Sequence, residues 1–444
     1  MRVIVVGAGE VGSSIAADLA SSHEVTVIDR DGELVEELQY SIDVLSLAGD
    51  GTSLDTLQRA GVSDADMLIA CTDVDETNIV ACATASAVGE VFTIARVKRP
   101  GFLDTWERAN GAFGVDYMVC TDLLTADTVV NVASLPFAHD ADWFAEGAIQ
   151  IAEFAIPEGS PLAGRTVMDT DRFDSLTFVG VLEEGEVEIA SGETRLEAGG
   201  YVVVIGTPED VLEFASELVP GEIPEREDVV VVGGSELGFQ CARLFEERGF
   251  SPRLIEQEKA RARWLAEALP ETVVLQSDAT NVEFLAREHI DSADVVVAAL
   301  GRDEQNLLTC LLAKRLGASR AIAIVEHTVY VDLFETVGID VAVSPREVTA
   351  EAITRFTSEG RMEKISMIHH DRAEAIEVRV DTENVFVGRP ISDAVGDLPA
   401  GVVVGAITRG EEYVVPRGDT VIEEGDHLVI FAETDRISEV TRLL

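Results

Sequence analysis

Arg2-Val3-Ile4-Val5-Val6-Gly7-Ala8-Gly9-Glu10-Val11-Gly12 opens the chain, and the reading of this stretch decides the fold. The unbroken apolar run is that of a strand covered on both faces. The Gly-x-Gly-x-x-Gly turn after it leads into a helix over Ser13 to Ala20, with Ile15, Ala16 and Leu19 on one side. In such a strand–turn–helix, Gly7 permits the tight turn, Gly9 lets the backbone approach a pyrophosphate, and Gly12 lets the helix pack close to the strand. The helix N-terminus offers free N–H groups and a partial positive charge to that phosphate. A second strand, Val25-Thr26-Val27-Ile28, ends at Asp29, 22 residues after Gly7. An acid there accepts both ribose hydroxyls of an adenosine and repels a 2′-phosphate. NAD or another unphosphorylated adenosine ligand is therefore favoured over NADP.

Outward from this unit the chain alternates. Helices are expected over Gly32 to Tyr40, Thr52 to Ala60 and Asn78 to Val88; strands over Val44 to Ala48, Asp66 to Ala70, Val91 to Val97 and Asp116 to Cys120; then a helix over Thr121 to Ala133. This spacing predicts a doubly wound parallel sheet, whose ligands lie beyond the carboxyl ends of the strands. Asp29, Asp50, Thr72 and Arg96 fall at or near such ends. The Arg96 guanidinium can fork onto phosphate oxygens or pair with a nearby acid. Asp50 reaches the adenine or ribose, or closes a turn. Thr72 and Asp73 line the site, cap the helix that follows, or do both.

A small β-rich unit then begins, with strands over Ile149 to Ile156, Phe178 to Leu182, Val187 to Ala190 and Tyr201 to Ile205, and a helix over Pro208 to Leu218. Pro220-Gly221-Glu222-Ile223-Pro224-Glu225 reads as a linker. After it the whole plan repeats at an offset of 224 to 228 residues. Gly233-Gly234-Ser235-Glu236-Leu237-Gly238 answers the first glycine turn, and Leu254-Ile255-Glu256 answers Val27-Ile28-Asp29. Asp303-Glu304-Gln305-Asn306 answers Asp75-Glu76-Thr77-Asn78, and Val387-Gly388-Arg389 answers Ala163-Gly164-Arg165. Gly233 and Glu256 are the candidate contacts of the second copy. That copy departs where it matters: Ser235 replaces the middle glycine and Ile324 stands where the first copy has Arg96. One half is expected to sense a dinucleotide and the other mainly to scaffold.

The net charge is −49, from 82 acidic against 33 basic residues. This excludes nucleic-acid or anionic-membrane binding through a basic surface. The acids are dispersed, as on a carboxylate-rich surface adapted to high salt. No apolar stretch approaches the roughly 20 residues of a membrane helix, and Met1 directly precedes a strand, so no signal peptide is expected. Cys71, Cys82, Cys120, Cys241 and Cys310 form no C-x-x-C pair and read as reduced, buried cytosolic thiols. A dehydrogenase needs an acid or base beside its hydride acceptor, and the scattered histidines and tyrosines offer no convincing one. The pair His369–His370 reads as a solvated linker and not as a metal site.

The order Gly-Ala-Gly-Glu-Val-Gly, Val-Ile-Asp, Gly-Asp-Gly-Thr, Cys-Thr-Asp-Val-Asp-Glu-Thr-Asn, Ile-Ala-Arg-Val and a small β-rich domain, all repeated, resembles the TrkA family, the cytosolic regulatory subunits of Trk-type potassium uptake systems. The resemblance covers nearly the full length. It implies Rossmann-like RCK N-terminal (KTN) domains over residues 1–136 and 228–359. Small α+β RCK C-terminal domains follow over 147–219 and 366–444, with a linker over 220–227. Carried over residue by residue, the family's NAD contacts fall on Gly7, Ala8, Gly9, Glu10, Val11, Asp29, Thr72, Asp73 and Arg96. The resemblance further implies a homo-oligomer, as a tetramer a ring of eight such domains, on the cytoplasmic face beneath a membrane-embedded, TrkH-like potassium-translocating subunit. The cofactor is expected to be NAD(H), with ATP or ADP at the same or the second site. The reading is of a nucleotide-sensing gating protein and not an enzyme; the rival is a soluble NAD-dependent oxidoreductase. The charge balance generates a direct expectation: the melting temperature rises steeply from dilute to molar KCl in a thermal scan, because salt screens the carboxylates from one another. Equal melting in both would overturn it.

Overall fold

The computed structural model describes residues 1–20, 22–109, 112–183, 186–219, 228–354, 362–368, 372–381, 384, 386–396, 401–410 and 412–443. The linker over 220–227, the end of the second lobe at 359 and the pair His369–His370 lie outside the described residues.

The first lobe runs β1 (Arg2–Val6), α1 (Glu10–Ala20), β2 (Glu24–Asp29), α2 (Gly32–Ser41), β3 (Leu45–Ala48), α3 (Leu54–Arg59), β4 (Met67–Ala70), α4 (Asp75–Ser86), β5 (Phe92–Val97), α5 (Pro100–Arg108), β6 (Tyr117–Cys120) and α6 (Thr121–Ala133). The six strands are parallel in the order β3-β2-β1-β4-β5-β6. β1 is buried from Val3 to Val6 because helices cover both faces, as its apolar run requires. α1 turns Val11, Ile15, Ala16 and Leu19 onto the sheet, at the three- and four-residue spacing of one helix face. The strand order reverses between β1 and β4, and a crevice opens there beyond their carboxyl ends.

The small unit that follows contains β7 (Ala138–Phe144), β8 (Ile149–Ala155), α7 (Val167–Thr170), β9 (Thr177–Glu183), β10 (Glu186–Ile189), β11 (Tyr201–Gly206) and α8 (Pro208–Glu217). The second lobe repeats the first: β12 (Val229–Val232), α9 (Glu236–Glu247), β13 (Arg253–Glu256), α10 (Lys259–Ala268), β14 (Val273–Gln276), α11 (Val282–Arg287), β15 (Val295–Ala298), α12 (Asp303–Leu316), β16 (Arg320–Ile324), α13 (Val331–Thr336), β17 (Val341–Val343) and α14 (Pro345–Thr354). Its order, β14-β13-β12-β15-β16-β17, is that of the first lobe. The last unit holds β18 (Met362–Ile368), β19 (Ala373–Arg379), α15 (Ile391–Val395), β20 (Val402–Arg409), β21 (Glu412–Val414), β22 (His427–Glu433) and α16 (Thr434–Leu443).

Two compact bodies result: Met1–Val130 with Glu227–Thr357, and Asn131–Arg226 with Ser358–Leu444. In the first, the Rossmann lobes pack together through α1 and α14, with Ala350 and Ile353 in one apolar cluster with Ile15 and Leu19. An ion pair of 3.1 Å between Arg248 and Asp127 also crosses between the lobes. In the second body, two antiparallel sheets, β10-β9-β11-β8-β7 and β18-β19-β22-β20-β21, share a core that brings Val179, Val203 and Ile205 against Ala406, Val429 and Phe431.

Three elements differ from the sequence reading. α4 starts at Asp75 with Val74 at its N-cap, so neither Thr72 nor Asp73 caps it. α5 was not foreseen; it begins at Pro100 and fully buries none of its residues, and it packs on the core through the half-buried face of Phe102, Leu103 and Trp106. β7 was not foreseen either, since His139, Asp140 and Asp142 give its sequence the look of a loop. It pairs antiparallel with β8, so the small sheet starts at Ala138, ahead of the first expected strand at Ile149.

The turn after β1 is fixed by contact. Gly7 has φ +114°, and a Cβ at Gly12 would lie 1.9 Å from the Gly7 carbonyl oxygen. Gly233 (φ +108°) and Gly238 repeat this, again at 1.9 Å. Gly12→Val is expected to destabilise the fold by on the order of 3 kcal/mol, because backbone and not a flexible side chain must yield. Denaturant unfolding in molar KCl measures it; an unchanged midpoint would contradict the packing argument.

Candidate nucleotide site

A cavity of about 710 Å³ lies at the carboxyl ends of β1 and β4 in the first lobe. That is within the usual range for small-molecule sites, roughly 300–1,000 Å³. Gly7, Ala8, Gly9, Glu10, Val11, Asp29, Thr72, Asp73 and Arg96 all line it. Asp29 sits at the end of β2 and orders the glycine loop: its Oδ2 accepts from Ala8 N at 2.7 Å and its Oδ1 from Asp31 N at 2.8 Å. Each oxygen keeps a second lone pair for a ribose hydroxyl. A Cβ at Gly9 would meet nothing within 4 Å. Packing therefore does not demand glycine there; the space belongs to the crevice.

Arg96, 4% exposed, points into the crevice from β5. Its Nε donates to Thr121 Oγ1 at 3.0 Å, and its Nη1 lies 3.6 Å from Asp73 Oδ1. A buried guanidinium held on one side by a neutral hydroxyl, with its other edge toward a solvent-exposed acid, suits a phosphate that would displace that acid. Cys71 also lines the cavity, but burial pushes its thiol up to about 12.

The Asp-Glu-Thr-Asn stretch builds this wall without lining it. Asn78 is fully buried; its Nδ2 donates to Thr72 O at 2.9 Å and Arg96 O at 2.8 Å, and its Oδ1 accepts from Thr72 N at 2.9 Å. Asp75 accepts from Lys98 N and Arg99 N at 2.9 and 3.1 Å. The pair ties the end of β4 to the end of β5, and so positions Arg96. Asn306 makes the same bridge to Leu300 and Ile324, and Asp303 the same turn, with His327 Nδ1 2.7 Å from its Oδ2.

Two expected residues lie apart from the cavity. Asp50 does not line it; Arg30 Nη2 donates to it at 2.7 Å, and Thr52 donates through N and Oγ1 at 3.0 and 2.7 Å. The Arg30 guanidinium, then the Thr52 donors, hold its carboxyl down to about 2. Asp50 thus closes the turn that follows β3. Gly12 sits beneath the loop, against Gly7, and serves packing. The sequence reading missed Arg346, which enters the same cavity from α14 of the other lobe. Its signal was in the duplication: position 346 answers position 122, an aspartate.

In the second lobe Glu256 Oε2 accepts from Gly234 N at 2.8 Å, as Asp29 does in the first. The rest of the loop is occupied by protein. Ser235 Oγ accepts from Gly238 N at 3.2 Å and donates to Ala299 O at 3.1 Å. Arg261 Nε donates to Gly234 O at 2.6 Å, and Ile324 is buried where the first lobe has Arg96.

The fold and this crevice define a class: a tandem pair of Rossmann lobes with appended antiparallel units, one lobe carrying an open crevice at the carboxyl ends of its strands. Residues 3–121 and 229–345 match the TrkA-N domain, and 151–219 and 375–444 the TrkA-C domain. The chain is 37% identical over 450 residues to Trk system potassium uptake protein TrkA homolog 1 of Methanosarcina mazei, covering 100% of this chain and 99% of that one. It is 32% identical over 455 residues to Trk system potassium uptake protein TrkA of Haemophilus influenzae, covering 100% and 98%. The chain belongs to the TrkA family. Its fold is that of the crystal structure of the GsuK RCK domain, at TM-score 0.62 and 21% identity over 100% of this chain and 94% of that one. The GsuK channel bound to NAD matches at TM-score 0.62 and 21% identity over 100% and 78%.

Asp122 offers a test of the electrostatics between the lobes. Burial first, then Glu236 and Glu326, raise its carboxyl from 3.8 to about 6 against the pull of Lys98 and Arg96. The folded chain thus binds this proton more tightly than the unfolded one. Stability from this group is full below pH about 4 and is lost as pH rises through about 6. Asp122→Asn is expected to match the parent near pH 4 and to gain about 1–2 kcal/mol by pH 7–8, a figure discounted for the group's partial exposure. Paired denaturant curves across pH measure it.

Proposed function

We propose that this chain is a non-catalytic regulatory subunit of a Trk-type potassium-uptake system, which binds NAD(H) in its first Rossmann lobe, with ATP or ADP competing for the same crevice. The observation that carries this reading is the convergence of Asp29, Arg96 and the Gly7–Val11 backbone on one cavity. An acid to accept from ribose, a buried guanidinium to donate to phosphate and an open glycine between them are the groups that an adenosine with a phosphate chain requires. The relatives named as potassium uptake proteins and the NAD-bound GsuK channel support the same reading.

In this reading the chain works as a homo-oligomer, as a tetramer with eight lobes in a ring, on the cytoplasmic face beneath a membrane-embedded, TrkH-like partner. Among the described residues no helix is long and apolar enough to cross a membrane, so translocation falls to the partner. A nucleotide that binds one arrangement of the lobes better than another shifts their population, and a differential of about 1–3 kcal/mol suffices for a 5- to 150-fold response. The second lobe, with Ser235, Arg261 and Ile324 over its loop, is a scaffold.

Calorimetric titration of the full chain with NADH, NAD and ATP in molar KCl tests this. One site per chain is expected, weakened by about tenfold or more in Arg96→Ala and in Asp29→Ala. Two equal sites would mean that both lobes sense; no binding of any nucleotide would overturn the sensor reading.

A further inference from the structure

Arg346 belongs to the second lobe by sequence and to the first lobe's crevice by position. It follows Pro345 at the start of α14, the helix that packs along α1. Its side chain is 24% exposed, pairs with Glu10 of the first glycine turn, and lines the cavity together with Asp29 and Arg96. We propose that Arg346 is a phosphate ligand supplied across the lobe interface: a nucleotide in the first-lobe site takes the place of Glu10 as its partner, and is thereby held by both lobes. This rests on the nucleotide reading above.

Three observations carry it. First, the arginine is not needed for the packing it accompanies. The α1–α14 contact is made by Ala350 and Ile353 with Ile15 and Leu19, and α14 is also held to α6, where Thr349 Oγ1 lies 3.1 Å from Thr121 Oγ1. Second, Glu10 is a partner that can be given up. It stands in the first turn of α1, where the helix dipole favours an anion whether or not an arginine is near, while a guanidinium mostly removed from water requires an acceptor at all times. A phosphate supplies two oxygens to the fork in one contact. Third, the duplication shows a difference of charge at the paired positions. The first-lobe crevice receives Arg96 from its own sheet and Arg346 from its neighbour. The corresponding positions for the second lobe are Ile324 and Asp122, and Asp122 feels Glu236, the counterpart of Glu10, as a like charge. Two cations at one site answer an apolar residue and an acid at the other. Arg96 and Arg346 also meet the same helix, since Arg96 donates to Thr121, which touches Thr349 of α14. A phosphate bound by both arginines would therefore act on the seat of α14 against the first lobe.

The test compares two substitutions that break the same ion pair. The full chain, in KCl at which it is folded, is titrated with NADH by calorimetry as parent, Arg346→Gln, Arg346→Lys and Glu10→Gln. Arg346→Gln is expected to weaken binding about tenfold or more, Arg346→Lys by less, and Glu10→Gln, which removes the carboxylate that competes with the phosphate for Arg346, to tighten it several-fold. If Arg346 only staples the lobes, Arg346→Gln and Glu10→Gln weaken binding together, and the proposal falls. NADH binding to Arg346→Gln within twofold of the parent overturns it while leaving the nucleotide reading intact. A parent that binds no NADH overturns both. Unfolding midpoints without ligand show that each variant is folded, and Arg346→Lys, which keeps the charge, serves should Arg346→Gln fail to fold.

Discussion

The carboxylate of Asp29, accepting the Ala8 N–H at 2.7 Å, sets the glycine loop over the end of β1. On that bond depends the direction in which α1 leaves the sheet, and with it the position of every backbone donor at the crevice. The bond works only because the chain can come close enough. Gly7 takes a positive φ and Gly12 leaves no Cβ to strike the Gly7 carbonyl. Glu256 and Gly234 remake the bond in the second lobe, 2.8 Å long, with Gly233 and Gly238 in the same roles. The constraint is thus a property of the fold and not of the ligand, which is why it survives in the copy whose loop is filled by its own side chains.

This separates two kinds of motif residue. Asp75 and Asn78 behave the same way in both lobes as Asp303 and Asn306, tying the ends of two adjacent strands together. They report a sheet whose neighbouring strand ends must be closed, since buried backbone groups there need partners. Gly9 and Ser235, Arg96 and Ile324, Thr72 and Leu300 differ between lobes while the backbone around them does not. What differs on a fixed frame is what the frame is used for.

Much of the architecture was legible because it rests on local periodicity and on a repeat whose register is kept over the whole chain. Arg96 was legible because a strand end fixes both its depth and its direction. The departures have local causes too. Asp50 stands outside the cavity lining, where Arg30, next to Asp29 in the chain, donates to it. Thr72 and Asp73 have the chemistry of caps, yet α4 starts beyond them, because Thr72 is engaged by Asn78 instead. β7 is a strand whose polar residues hide its pairing with β8. Arg346 belongs to a different class of failure. No property of residues near it in sequence says that α14 lies against α1, and only the mismatch with Asp122 across the duplication carried a trace of it.

The charge of the chain explains why so few residues can matter so much. At a net −49 the protein opposes an anionic ligand from every direction at long range. Salt shortens that opposition to about a Debye length, roughly 8 Å at physiological ionic strength and 3 Å at 1 M. It does not reverse it. A phosphate can then be favoured only by groups that touch it, through hydrogen bonds from donors already partly removed from water, where bulk screening is weak. The first-lobe crevice has such donors in Arg96 and in the α1 N-terminus, and Arg346 stands at contact range from the neighbouring lobe. In a chain with this surface, moving Arg346 away from the crevice removes one of its few cations, so under the proposal the seat of α14 and the affinity for phosphate are coupled.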